Sequence, residues 1–396
     1  MKRVFISVFM VFVMLGSMMG TTAFAVESMK QSNLSQAETF AMEQVEAFAK
    51  MDDTWNDNTC IKEHVALYAP DDTINGYIFR FETSGEDTGF MQIGVLEQEF
   101  FVVNLGFEGY DILTQMMNQY TGAILAEKGF DTESTEKRIK ATSKIYYAGG
   151  FNYYAVNEAN KLVSLDTHEE IEDKDTALSA VYALYTSGLL ERRAAKISED
   201  NMMNERRSSI ETRLVTGYGT AATNMKTMSY WSNYSAHCAP TAAVNMIMYW
   251  KHGRGFFASH AASNDPTSVF TWFYNEMETN QGVVGTPRTK IMPAYDEYFA
   301  AYSGATTMTA DRVTSVTFNK IKTKVDADVP LHLSIDDYEN SYGDVGGHSV
   351  NVWGYAIIDS DEYVGISENW GATHGYILIA YDSYDYGQYV YYNLNP

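Results

Sequence analysis

The feature that most constrains this chain is a cysteine set at the start of an apolar helix. The segment Trp231-Ser232-Asn233-Tyr234-Ser235-Ala236-His237-Cys238-Ala239-Pro240-Thr241 runs into Ala242-Ala243-Val244-Asn245-Met246-Ile247-Met248-Tyr249-Trp250. Val244, Ile247 and Met248 fall on one helical face. Pro240 suits a first turn, where its missing N–H costs nothing. Cys238 therefore stands at or just before a helix N-terminus. Free N–H groups and the helix dipole stabilise a thiolate there, and the thiolate is the nucleophilic form of the side chain. The competing reading is a buried structural thiol, since free cysteine is among the most buried residue types.

Composition removes several other classes. The chain has 396 residues and only two cysteines, Cys60 and Cys238, too few for a zinc ribbon or a disulfide scaffold. Lys and Arg number 28 against 51 Asp and Glu, a formal charge of −23 whose field repels phosphates and argues against nucleic-acid binding. With 45 % apolar and 14 % aromatic residues the chain can bury a core, which argues against disorder. No cofactor is expected. His64, His168, His252, His260, His332 and His374 show no metal-ligand spacing. Asp336, Asp337, Glu339 and Asp344 match no EF-hand and read as a solvated loop.

The N-terminus reads as a secretory signal over residues 1–25. Lys2 and Arg3 precede an apolar stretch from Val4 to Leu15, and Ala23-Phe24-Ala25 offers small residues for cleavage. The apolar run falls short of the ~20 residues of a spanning helix, so the expectation is an exported, acidic bacterial protein with no membrane segment once the signal is removed.

Residues 26–205 form a first α+β unit. Ala37, Phe40, Ala41, Val45, Phe48 and Ala49 recur at helical spacing. Short runs at 65–68, 77–81, 90–95 and 100–103, punctuated by Asp71-Asp72, Asn75-Gly76 and Ser84-Gly85, predict an antiparallel meander. A helix is expected from about Tyr110 to Lys128, a hairpin from Lys144 to Leu165 turning at Gly149-Gly150, and further helix over 167–207. Polarity rises from Ser198 to Arg213, placing a domain boundary near Arg206-Arg207. The second unit, 206–396, is helical after Cys238 and strand-rich from about Val329. Its last 72 residues hold twelve carboxylates and no Lys or Arg, so the acidity is concentrated in the C-terminal sheet. The crowded Tyr381, Tyr384, Tyr386, Tyr389, Tyr391 and Tyr392 read as sheet packing.

Two more segments carry chemistry. In Gly346-Gly347-His348-Ser349-Val350 the histidine opens a strand after two glycines. In Ser367-Glu368-Asn369-Trp370-Gly371 the asparagine can bond an imidazole, and Trp370 can shield that bond from water. A thiol, a histidine base and an amide orienter form the thiol version of the nucleophile–base–orienter arrangement.

With these residues the C-terminal part, roughly 220–396, resembles the papain-like cysteine peptidases, within them the streptopain-like and C39-like bacterial branch. The likeness rests on Cys238-Ala239-Pro240-Thr241-Ala242-Ala243 to Tyr249-Trp250, on Gly347-His348-Ser349-Val350 to Gly354-Tyr355, and on Asn369-Trp370-Gly371 with Gly375-Tyr376. The resemblance implies an α+β, two-lobed domain, helical around the cysteine and β-rich around the histidine. It also implies peptide-bond hydrolysis through a thioester, with Cys238 as nucleophile, His348 as general base and acid, and Asn369 as orienter of its ring. The strands at 77–81, 89–95 and 99–103 resemble those of streptopain-like propeptides, which implies a zymogen with the N-terminal domain as inhibitor. Two departures stand out. His237 and Ala239 replace the glycines that usually flank the nucleophile, and His237 is bulky enough to narrow the cleft. Ser232 occupies the place of the usual oxyanion glutamine, leaving Asn233 with the Cys238 N–H as the oxyanion donors. Loss of such a donor can cost about 10²–10³ in kcat. A weak or inactive relative that binds extracellular peptides or proteins is therefore the alternative. A cell-wall amidase or acyltransferase using the same pair is a third reading.

Overall fold

A computed structural model describes residues 33–118, 120, 144–157, 161–165, 170–171, 174–202, 210–255, 265–302, 308–336, 347–370 and 375–394. The signal segment, Arg206-Arg207, the carboxylates of the loop beyond Asp336 and the far part of the helix expected to Lys128 lie outside the described residues.

The N-terminal half opens with helix α1 (33–48). Its Ala37, Ala41, Val45 and Phe48 are buried on one face, as the helical spacing requires. The expected meander follows as β1 (Thr59–Tyr68), β2 (Ile74–Thr83), β3 (Glu86–Leu96) and β4 (Glu99–Gly106), each antiparallel to the next. Alternation along β2 sends its apolar residues to both faces: Tyr77, Phe79 and Phe81 share a core with α1, while Ile78 joins the larger core behind the sheet. Helix α2 (112–118) comes next. The hairpin turning at Gly149-Gly150 is present as β5 (Ile145–Tyr147) and β6 (Tyr153–Val156), with β7 (Leu162–Ser164) and β8 (Glu170–Ile171) extending it. Helix α3 (Lys174–Met202) closes this half.

The C-terminal half begins with β9 (Ile210–Leu214) and α4 (Tyr218–Ala222). Helices α5 (Cys238–Met248), α6 (Pro266–Glu276) and α7 (Arg288–Tyr302) follow. Aromatic contacts pack this layer: Trp231, before α5, stacks on Phe270 of α6, and Phe273 of α6 on Tyr298 of α7. Strand β10 (Met308–Val313) and helix α8 (Phe318–Asp326) lead into β11 (Leu331–Asp336), β12 (Gly347–Ile358), β13 (Asp361–Ser367), β14 (Ile377–Ala380) and β15 (Asp385–Leu394). The late tyrosines do pack: Tyr381 stacks on Tyr386, and Tyr384 and Tyr389 are buried.

The two halves share one sheet, in the order β10-β15-β11-β12-β13-β14-β4-β3-β2-β1-β5-β6-β7-β8. The seam is the β14–β4 pair, where Leu378 faces Leu105 and Ile379 faces Asn104. One core joins α1, Trp55 and β2 to Ala356, Ile358, Tyr363, Leu378 and Ala380 of the C-terminal half. Phe48 meets Tyr363 edge to face at 5.3 Å. Strand β12, twelve residues long, pairs with β11 along Gly347–Val352 and with β9 along Gly354–Ile358. The fold is thus mixed α+β, with one sheet running through both halves.

Candidate active site

Helix α5 begins at Cys238, where the sequence places it, with His237 as the N-cap and the first helical bond from Thr241 N–H to the His237 carbonyl. The N–H groups of Cys238 and Ala239 belong to the first turn, which has no intrahelical acceptors, and Pro240 contributes none. Cys238 is half-buried at this end. The tight entry is made one residue before the cap. Ala236 adopts φ +43, a left-handed conformation uncommon for alanine, while His237 keeps φ −111. The conformational demand that a flanking glycine would meet is thus carried by Ala236.

His237, read from the sequence as bulky enough to narrow a cleft, turns into the interior. It is fully buried, shares a 3.0 Å hydrogen bond with Thr241 through Nδ1, and meets Phe270 of α6 edge to face at 5.3 Å. Burial pushes its pKa down to about 4. The ring packs into the helical layer, against Phe270 of α6.

His348 lies on β12, opposite Ile335 of β11, and is 2 % exposed. Its Nε2 is 2.6 Å from the Glu368 carbonyl oxygen. A carbonyl only accepts, so Nε2 carries the proton and Nδ1 carries the lone pair of the neutral ring. Trp370 stacks on the imidazole with centroids 3.6 Å apart and planes at 11°. Burial pushes the His348 pKa down to about 3, against the opposing pull of the Glu368 carbonyl. The ring is therefore neutral above that value.

Asn369 does not hold the ring through its amide, contrary to the expectation. Its Oδ1 accepts from Asn245 Nδ2 at 2.9 Å, and its Nδ2 donates to Asn351 Oδ1 at 3.2 Å. The residue takes φ +68, a left-handed conformation that asparagine tolerates. Successive carbonyls then serve different partners: Glu368 takes the His348 proton, and Asn369 accepts from Met228 N–H at 2.7 Å. The orienting acceptor lies one residue earlier and on the main chain, where composition and spacing carry no signal for it.

Asn233 is exposed in the loop between Trp231 and the Cys238 helix. Glu368 is fully buried, and neither carboxyl oxygen has a hydrogen-bond partner. Burial raises its pKa to about 7. Both cysteines are free, and Cys60 is exposed on β1. Among the described residues no group of three or more His, Cys, Asp or Glu is placed to hold a metal ion, and no helix is long and apolar enough to cross a membrane.

One participant comes from the other half of the chain. Phe151, just past the Gly149-Gly150 turn, sets its edge against His348 at 5.3 Å and against Trp370 at 5.0 Å. The turn needs its glycines: Gly149 has φ +96, and a Cβ there would lie 2.1 Å from the Tyr185 ring. The paired glycines were visible as a turn, but its aim toward the histidine was not.

Residues 222–395 match the sequence profile of the Peptidase_C39 like family, a span that takes in Cys238, His348 and Asn369. No curated protein matches the chain. The match spans less than half of the chain and supports a papain-like cysteine peptidase family for that part alone.

Proposed function

We propose that this chain is an exported cysteine endopeptidase made as a zymogen, its C-terminal half a two-lobed papain-like unit and its N-terminal half the inhibitor. The observation that carries the reading is the Phe151–His348–Trp370 cluster: the candidate base sits between an aromatic of its own half and one of the N-terminal half.

In the reaction, Cys238 Sγ gives its proton to His348 Nδ1 and attacks the scissile carbonyl carbon. The N–H of Cys238 faces the developing oxyanion, with the exposed Asn233 as the candidate second donor. The imidazolium, its Nε2–H still held by the Glu368 carbonyl, protonates the leaving amine as the C–N bond breaks. Water then attacks the thioester, giving its proton to Nδ1. The acid product leaves and Sγ recovers the proton. Asn369 supports this through the backbone that presents the Glu368 carbonyl. The Phe151 contact opposes the cycle in two ways. It occupies space beside the base, and it desolvates a ring that must become cationic.

The test is expression of residues 26–396 beside Cys238→Ala, with casein under reducing conditions and an epoxysuccinyl thiol probe. Wild-type self-cleavage between about 195 and 215, with probe labelling that Cys238→Ala lacks, supports the reading. An intact, unlabelled chain without caseinolysis would sink it in favour of a peptide-binding role.

A further inference from the structure

We propose that Asn351 and Asn245 are positioning residues of this site, fixing the Cys238 helix against the His348 strand through the side chain of Asn369. The inference rests on the peptidase reading. The three amides form a continuous buried chain. Asn245, on α5 two turns beyond Cys238, donates to Asn369 Oδ1 at 2.9 Å and to the Lys226 carbonyl at 2.8 Å, and accepts from Lys226 N–H at 2.8 Å. Asn369 donates to Asn351 Oδ1. Asn351, three residues beyond His348 on β12, donates to the Ala242 carbonyl of α5 at 2.9 Å, which closes the circuit on the helix. Asn245 and Asn351 are wholly buried and Asn369 nearly so.

Three elements meet here: the helix bearing Cys238, the strand bearing His348, and the loop whose Glu368 carbonyl holds the imidazole. Apolar packing alone tolerates small sliding between helix and sheet, whereas directional hydrogen bonds in a dry interior do not. Each side-chain amide uses both its oxygen and its nitrogen, so shifting any element breaks a buried bond. Since a misplacement of about 1 Å can cost about 10²-fold in rate, a network of this kind serves catalysis beyond stability. It also gives Asn369 a role: it works on the spacing of the helix and strand, while the main chain holds the ring.

The experiment uses the full chain carrying Cys60→Ser, to remove the exposed second thiol, and Phe151→Ala, to uncap the ring. Iodoacetamide alkylation of Cys238 is followed from pH 4 to 9, with urea unfolding of every variant as the check of folding. A thiol paired with an imidazole reacts well below the ordinary thiol range, whereas at pH 9 any thiol reacts. Asn351→Leu is expected to slow alkylation at pH 6 by about tenfold or more while changing the pH 9 rate little. Asn351→Asp is the rescue: its neutral acid offers one donor and one acceptor, so reactivity relative to the parent returns as pH falls and is lost as the carboxyl ionises. A folded Asn351→Leu chain with the parental profile, or a folded Asn351→Asp chain with no recovery at low pH, overturns the inference and leaves the peptidase reading standing. A parent in which Cys238 ionises as an ordinary thiol overturns both.

Discussion

Phe151 of the N-terminal half and His348 of the C-terminal half meet edge to face, ring centroids 5.3 Å apart and planes at 79°. They are almost 200 positions apart in sequence, yet both are about 2 % exposed. Phe151→Ala should hydrate the imidazole, raise its pKa from about 3 toward the ordinary histidine range, and speed alkylation of Cys238 in the uncut chain at neutral pH. The same change should cost stability by about 3–5 kcal/mol, as for other buried aromatics cut to alanine. Histidine titration by NMR and urea unfolding check the two arms. An unchanged His348 pKa would remove Phe151 from the inhibitory role.

Cutting the chain near residue 206 should not by itself part the halves. The β4–β14 pair, the shared core around Phe48, Tyr363 and Leu378, and the Arg192 bond to the Asp382 carbonyl at 2.7 Å all cross the boundary. A chain carrying an inserted protease site near residue 206, once cut, should elute from a sizing column as one species in native buffer and as two in urea. Separation in native buffer would show that the seam is weaker than its burial indicates.

Glu368 makes stability depend on pH. Its folded pKa, about 7, lies above the unfolded value of roughly 4.3. Its contribution is therefore complete below the unfolded value and is lost as pH rises through 7, a change on the order of 3 kcal/mol. Glu368→Gln should abolish that loss, and should raise the urea midpoint at pH 8 more than at pH 4. Equal shifts at both pH values would contradict the burial argument.

The buried histidines act with the opposite sign. His348 and His332 are pushed down to about 3, and His237 to about 4. Their stabilising contribution is present above the ordinary histidine pKa and is lost as pH falls toward these values. Tyr295, whose hydroxyl lies 2.8 Å from His332 Nδ1, cannot neutralise a cation there. His332→Asn should therefore flatten the acid limb of unfolding, read by circular dichroism between pH 6.5 and 3.

Ala236 carries left-handed backbone at φ +43, two residues before Cys238. Ala236→Gly should stabilise the chain by about 0.5–1 kcal/mol, and Ala236→Val should destabilise it by more, because a branched Cβ worsens the clash. Thermal unfolding checks both. A stabilising valine would mean that the loop adopts another conformation.

The helix start at Cys238, the meander from Thr59 to Gly106 and the turn at Gly149-Gly150 were legible because each follows from local periodicity or a local backbone demand. So were the approach of Trp370 to His348 and the packing of the late tyrosines. Asn245 left a faint signal, a lone amide in an apolar helix. Asn351 left less, as one polar residue in a buried strand. The Glu368 carbonyl left none, because every residue has one.

The sequence by itself determined which chemistry was available, namely one thiol at a helix start, one histidine at a strand start and an asparagine beside a tryptophan. Those features depend on residue type and short-range spacing. Only the tertiary structure decided who holds whom. The imidazole is held by a main-chain carbonyl, the asparagine amides hold the helix to the strand, and an aromatic of the N-terminal half covers His348. Such pairings are set by how the sheet continues from β14 into β4 and by which buried polar groups must find partners, and both depend on contacts far apart in the chain.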